Sequence, residues 1–89
     1  MATRSYREQR QWPRVEINSP GTIVILHGLR IAKTIPCTVI NVSEGGALLS
    51  LFAEITESEF YLEIDKFPEI RRSCSVVRRN GKTLGVRFH

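Results

Sequence analysis

The chain has 89 residues, enough for one small domain with a modest core, and its 42% hydrophobic and 25% charged residues are ordinary for a globular protein. No apolar run approaches the roughly 20 residues that cross a bilayer, and the polar, arginine-rich start lacks the apolar stretch of a secretory leader, so a cytoplasmic protein without membrane insertion is expected. The net charge of +4 is uneven: Arg4, Arg7, Arg10 and Arg14 against Glu8 put +3 in residues 1–14, a cationic segment suited to an anionic partner.

Residues 1–11 show no apolar periodicity and read as a flexible arm, with the globular domain over 12–89. Pro13 biases Trp12 away from helix, so the arm enters the domain extended. Trp12 itself is best explained as an anchor on the domain surface, with stacking on a ligand base as the alternative. Val15 and Ile17 alternate with Glu16 and begin a strand. Ser19-Pro20-Gly21 has turn chemistry. Thr22 to Leu26 reads as a second strand and His27-Gly28 as a hairpin. Ile31, Lys33, Ile35, Cys37 and Val39 then share one face of a longer strand, with Pro36 implying an edge or a bulge.

Asn41 to Gly46 is turn-rich, and Ala47 to Phe52 resumes as a strand. Glu54 to Ser58 is polar, with room for one loose helical turn. Phe60, Leu62 and Ile64 form a strand face, and Pro68 marks a turn over Lys66–Glu69. A penultimate strand begins near Cys74 and Val76. Asn80-Gly81 is a strong hairpin signal of type I′. Leu84, Val86 and Phe88 form the inner face of the last strand. The pattern amounts to about seven short strands without an amphipathic helix, which reads as an antiparallel barrel.

Chemistry-bearing residues are sparse. Cys37 and Cys74 are far apart, outside any C-x-x-C arrangement, and read as buried free thiols. His27 and His89 lack ligand spacing, so no metal is expected. There is no nucleophile–base motif, activated carboxylate pair or phosphate loop, so the chain reads as a non-enzyme without a cofactor. Arg71, Arg72, Arg78, Arg79 and Arg87 read as a solvated face.

Two motifs remain: the arginine pair Arg10-x-x-x-Arg14, and Asn41-x-Ser43-x-x-Gly46. In this order, with strand-like runs between them, they resemble the PilZ family of bacterial cyclic di-GMP receptors. The run Cys37–Asn41, the step Gly45-Gly46-Ala47 and the ending Gly85–Phe88 extend the resemblance from Arg10 to Phe88. It implies an all-β, six-stranded antiparallel barrel with an arginine arm across its outer face. The printed sequence stops at His89, leaving little or no C-terminal helix to cover the barrel mouth, so a homodimer through that mouth is one expectation.

The resemblance also implies cyclic di-GMP as ligand, with Arg10 and Arg14 contributed by the arm and Asn41, Ser43, Gly45 and Gly46 by the barrel. Guanidinium groups suit this ligand, because they bond guanine edges and phosphates bidentately. The implied function is a receptor or adaptor that senses the second messenger and signals through an unnamed downstream protein. One alternative is a PilZ-like adaptor that does not bind nucleotide. Another is a small nucleic-acid-binding barrel. The latter needs aromatics displayed on an outer face, whereas Phe60 and Phe88 read as core.

Overall fold

A computed structural model describes residues 15–89. The proposed arm, with Trp12 and the boundary between residues 11 and 12, lies outside the described residues. Six strands follow one another: β1 (Val15–His27), β2 (Arg30–Val42), β3 (Gly46–Leu51), β4 (Glu59–Ile64), β5 (Phe67–Asn80) and β6 (Thr83–Phe88). They close into a barrel in the order β1-β2-β3-β6-β5-β4, every neighbouring pair antiparallel. This is the six-stranded barrel that the resemblance implies. The described residues contain no helix.

The interior is filled from all six strands. Ile23, Val39, Leu49, Leu62, Leu84 and Cys74 are fully buried, with Phe60, Ile64, Val86 and Phe88 closing the cluster. Ile17, Ile25, Ile35 and Val42 pack against it from positions nearer the ends. Phe60 and Phe88 are therefore core, as their alternation suggested.

Seven strands become six because the first two are one. Ser19-Pro20-Gly21 does not turn the chain back. Asn18 takes a left-handed φ of 44° and is absorbed as a bulge between the Glu16↔Asn41 and Ser19↔Val39 pairs. The turn chemistry serves another segment. Ser19 is buried; its hydroxyl accepts from the Lys66 N–H at 3.2 Å, while Pro20 O accepts from Asp65 N–H at 3.0 Å. Ser19 and Pro20 thus hold the β4–β5 connection at Asp65-Lys66. Pro68 lies inside β5 rather than in a turn. Gly21 is required by crowding: a Cβ there would sit 2.9 Å from both Glu63 O and Val39 Cγ2.

Both two-residue hairpin loops differ by one position from their sequence signals. They are Gly28-Leu29 and Gly81-Lys82, each with only the glycine at positive φ, 69° and 62°. One positive φ at the first loop position makes a type II′ turn, so Asn80 remains in the ladder opposite Thr83.

Residues 52–58 form no helical turn. Ile55 from this loop packs against the core. Arg79 Nη1 donates to Ile55 O at 2.7 Å, and Nη2 donates to Glu57 O at 2.7 Å and Thr56 O at 3.2 Å. Arg79 is thus a clamp on the loop over one barrel mouth. Lys33 holds the same loop through Glu57 at 3.1 Å, and that hydrogen bond is the leading cause that lowers the Glu57 carboxyl below its ordinary range. At the other mouth, Arg72 lies opposite Leu62 and its guanidinium stands 4.4 Å from the Phe88 ring centroid. Phe88 is only 9% exposed beneath it.

Cys37 and Cys74 are free and buried. Burial pushes the Cys37 thiol up to about 11, with the Asp65 carboxylate adding to the rise. It pushes Cys74 up to about 12, with Arg72 opposing and Cys37 adding. Both groups hold their protons longer folded than unfolded. Their contribution to stability is therefore complete below the ordinary value of 9.0 and is lost as pH rises through about 11 and 12. At pH 8 the native protein should show no thiol reacting with Ellman's reagent, and two once it is denatured. Rapid reaction of either thiol in the native state contradicts this burial.

Candidate functional site

A period of two decides which strand residues face outward, and bulges reset that count. From Lys33 to Val39 alternate residues of β2 face the core, which by continuation would place Asn41 inside. Instead Val39 pairs with Leu49 and Asn41 with Leu48, so Ile40 is an extra residue. The bulge turns Asn41 to the outer face, beside Leu48, and returns Val42 to the core beside Ala47. A second bulge at Val77 does the same for β5. Val76 faces Val86 inside, Arg78 then pairs with Gly85 outside, and Arg79 pairs with Leu84 on the inner side, from where it reaches the 52–58 loop.

These shifts assemble one outer surface. One row runs Glu16, Asn41, Leu48, Gly85, Arg78 across β1, β2, β3, β6 and β5. The next runs Gly46, Arg87, Ser75 across β3, β6 and β5. With strands about 4.8 Å apart and about 3.4 Å per residue, Asn41 and Arg87 have backbones within about 12 Å. Arg78 and Arg87 are exposed there. The reading of the late arginines as a solvated face holds for both, but it gave no hint that they lie beside the Ser43 turn. The alternation of Gly85 and Arg87 with Leu84, Val86 and Phe88 marks them as outward. Nothing within β6 itself says that it lies beside β3.

The turn between β2 and β3 is built around Ser43. Its N–H donates to Gly46 O at 2.8 Å, closing the turn. Its hydroxyl oxygen accepts from both the Gly45 and the Gly46 N–H at 3.2 Å. Both amides expected to face a ligand are therefore already partnered. A serine hydroxyl accepts twice and donates once. The remaining O–H lies 3.4 Å from Gly46 O, a long contact that leaves the proton available to a better acceptor.

Gly46 is fixed by packing rather than by backbone sign, since its φ is not positive. A Cβ there would lie 2.1 Å from Val86 O on β6. Gly45 O in turn accepts from Phe88 N–H at 2.8 Å, tying the turn to the last strand.

Arg10 and Arg14 lie outside the described residues, so their side chains are not placed. The point where their segment joins the barrel is placed: Val15 pairs with Val42, one residue before Ser43. Among the described residues no group of three His, Cys, Asp or Glu side chains is arranged to hold a metal, and no helix is long and apolar enough to cross a membrane.

The turn geometry separates two substitutions. Gly46→Ala forces a side chain into the β6 carbonyl and should cost more than about 2 kcal/mol, as overpacking against rigid backbone does. Ser43→Ala leaves two half-exposed amides to water and should cost about 1 kcal/mol. Urea unfolding midpoints measure both. A Gly46→Ala variant as stable as the parent contradicts the close β3–β6 approach.

No curated protein sequence matches the chain. The family model described as "PilZ domain" matches residues 8–89, nearly the whole chain and all of the barrel with the turn just described. The chain belongs to the PilZ domain family.

Proposed function

We propose that this protein binds cyclic di-GMP on the outer face beside the Ser43 turn and passes the signal to a protein partner. PilZ domains are known as cyclic di-GMP receptor modules and act by binding rather than catalysis. The observation that carries the reading onto this chain is the Val15↔Val42 pair. It brings the end of the segment bearing Arg10 and Arg14 to the barrel beside Asn41–Gly46, although 26 residues lie between Arg14 and Asn41 in sequence, which supports a site shared by the two motifs.

The ligand presents two guanines and two phosphates. Arg10 and Arg14 supply the bidentate cations from the arm side. Asn41 offers an amide oxygen to a guanine N–H, a single acceptor where a carboxylate would offer two. Ser43 supplies its hydroxyl proton to a phosphate oxygen, while Gly45 and Gly46 hold the turn in shape. Arg78 and Arg87 add positive potential across the same surface, and Glu16 is the one carboxylate in the Asn41 row. Phe60 and Phe88 are core and supply no base-stacking surface, which weighs against the nucleic-acid-binding alternative.

Titration calorimetry with cyclic di-GMP, with GTP as the comparison, tests the reading. Binding of cyclic di-GMP alone is expected. Arg10→Ala and Arg14→Ala should each weaken it by about 10- to 100-fold, the loss of one charge-assisted contact. Arg87→Gln, an exposed cation at the margin, should weaken it by about fivefold and flatten its salt dependence. Full affinity in both arm variants refutes the arginine clamp, and no binding to the parent chain refutes the nucleotide reading.

A further inference from the structure

The first hairpin outruns its neighbours. β4 pairs with β1 only as far as Val24↔Tyr61, and β3 pairs with β2 only as far as Cys37↔Leu51. Beyond those points β1 and β2 pair with each other alone, out to His27↔Arg30. The ribbon contributes to a molecule of 50 × 29 × 23 Å. From Arg30 to Pro36, β2 has β1 on one side and, among the described residues, no strand on the other. The backbone groups of alternate residues point to that open side. The stretch has the usual length of a strand.

No aspartate or glutamate occurs between Glu16 and Glu44, and of the two cations on the edge strand Lys33 is paired with Glu57 of the 52–58 loop, which leaves Arg30 as the cation on offer. Leu29 is 101% exposed at the tip and Ile31 is 56% exposed beside it. The bulge at Ala32 accounts for Ile31: Lys33 pairs with Ile25, but Ile31 pairs with Leu26 and so leaves the face it would share with Lys33 and Ile35.

We infer that the open edge of β2, Arg30 to Pro36, takes an extended acidic segment of a partner protein as an added strand. Unsatisfied backbone groups exclude burial of this edge in hydrocarbon, where nothing bonds them. The edge strand of a second copy carries no carboxylate to meet Arg30, and Pro36 interrupts the ladder, a device that keeps edges from pairing with themselves. An acidic strand meets Arg30 favourably and pairs the open backbone, while its apolar residues cover Ile31 and Leu29. The inference rests on the reading that this module signals through a protein. It does not rest on nucleotide binding, since the edge lies apart from the Ser43 turn along β2.

A random twelve-residue peptide library displayed on phage, selected against the full chain without nucleotide, tests it. Enriched peptides should alternate apolar and acidic residues. The strongest one, made synthetically, should shift the backbone amide resonances of residues 30–36 and leave those of Gly46 and Arg87 in place. N-methylating alternate peptide nitrogens in one phase should lower affinity by about tenfold or more, and in the other phase should not, because an added strand bonds through every second residue. Arg30→Glu should lower it by about tenfold, the cost of reversing one close charge pair. The inference is overturned by a library that yields no enrichment, by basic or patternless peptides, by shifts elsewhere, or by equal effects of both methylation phases. Concentration-dependent shifts at 30–36 without peptide would assign the edge to a second copy and overturn it too. Sedimentation with phosphatidylglycerol vesicles that moves the same resonances would assign it to a membrane. Calorimetry with cyclic di-GMP on the same sample separates this outcome from failure of the nucleotide reading.

Discussion

Every position in this barrel depends on the alternation of side chains across a sheet, and on the few places where that alternation is reset. Closing six strands around a small interior imposes more curvature than regular ladders hold. The chain absorbs much of it in single extra residues. At Asn18 the bulge keeps β1 continuous where its sequence suggests a turn. At Ala32, Ile40 and Val77 it exchanges inside for outside. Without the Ile40 bulge, Asn41 would point into a core filled by Val39, Leu49 and Leu84, and an unpartnered amide there would cost several kcal/mol. Without the bulge at Val77, Arg78 would face inward and Arg79 could not reach the carbonyls of the 52–58 loop. The outer surface beside the turn is thus a product of barrel closure.

The turn itself shows how a binding motif and a folding motif share residues. Ser43 accepts two amides and closes the four-residue turn Ser43–Gly46. Gly46 admits the β6 backbone at a distance no side chain tolerates. Both residue types would be needed here by a protein that bound nothing. Their presence supports the fold first, and the nucleotide reading rests on what surrounds them: Asn41 turned outward, Arg87 across from Gly46, and the arginine-bearing segment entering at Val15. For the same reason loss of binding in a Gly46 variant says little about ligand contact unless folding is measured alongside it.

Much of this was legible in residue order. The alternations Phe60-Leu62-Ile64 and Leu84-Val86-Phe88 are core faces as they stand. Cys37 and Cys74 are buried thiols, and the turn expected within Asn41–Gly46 is there at Ser43–Gly46, with Asn41 and Val42 still in β2. The illegible parts have a common cause. A bulge residue such as Ile40 or Val77 carries no local signature, because the extra residue is demanded by partners distant in sequence. Ser19-Pro20 looked like a turn since its polar groups serve one, but the turn is at Asp65-Lys66. Arg79 looked solvated because an arginine among Arg71, Arg72 and Arg78 is indistinguishable by composition. Its three carbonyl partners belong to a loop more than twenty residues away. At the hairpins a single positive φ, borne by Gly81 alone, moved the loop one residue beyond the Asn-Gly signal.

The proposed nucleotide surface and the open edge lie on the same strand, which constrains how one could influence the other. Between them, residues Cys37 to Val39 of β2 are bracketed by β1 and β3, with Cys37 and Val39 in the core beside Ile23, Leu49 and Leu51. Coupling between two sites requires an element with two arrangements whose balance each ligand shifts. A strand locked on both sides, with its inward side chains buried, offers one. A ligand beside Ser43 therefore has no route through β2 by which to open or close the edge at Arg30. Were both sites occupied, their affinities would be close to independent, and the nucleotide would inform a partner by another physical means: by becoming part of the surface the partner touches, together with the arginine-bearing segment that reaches the barrel at Val15. A partner that senses nucleotide must then span from the β2 edge to the Ser43 turn, and a segment long enough to add a strand at one end and meet the ligand at the other satisfies that geometry.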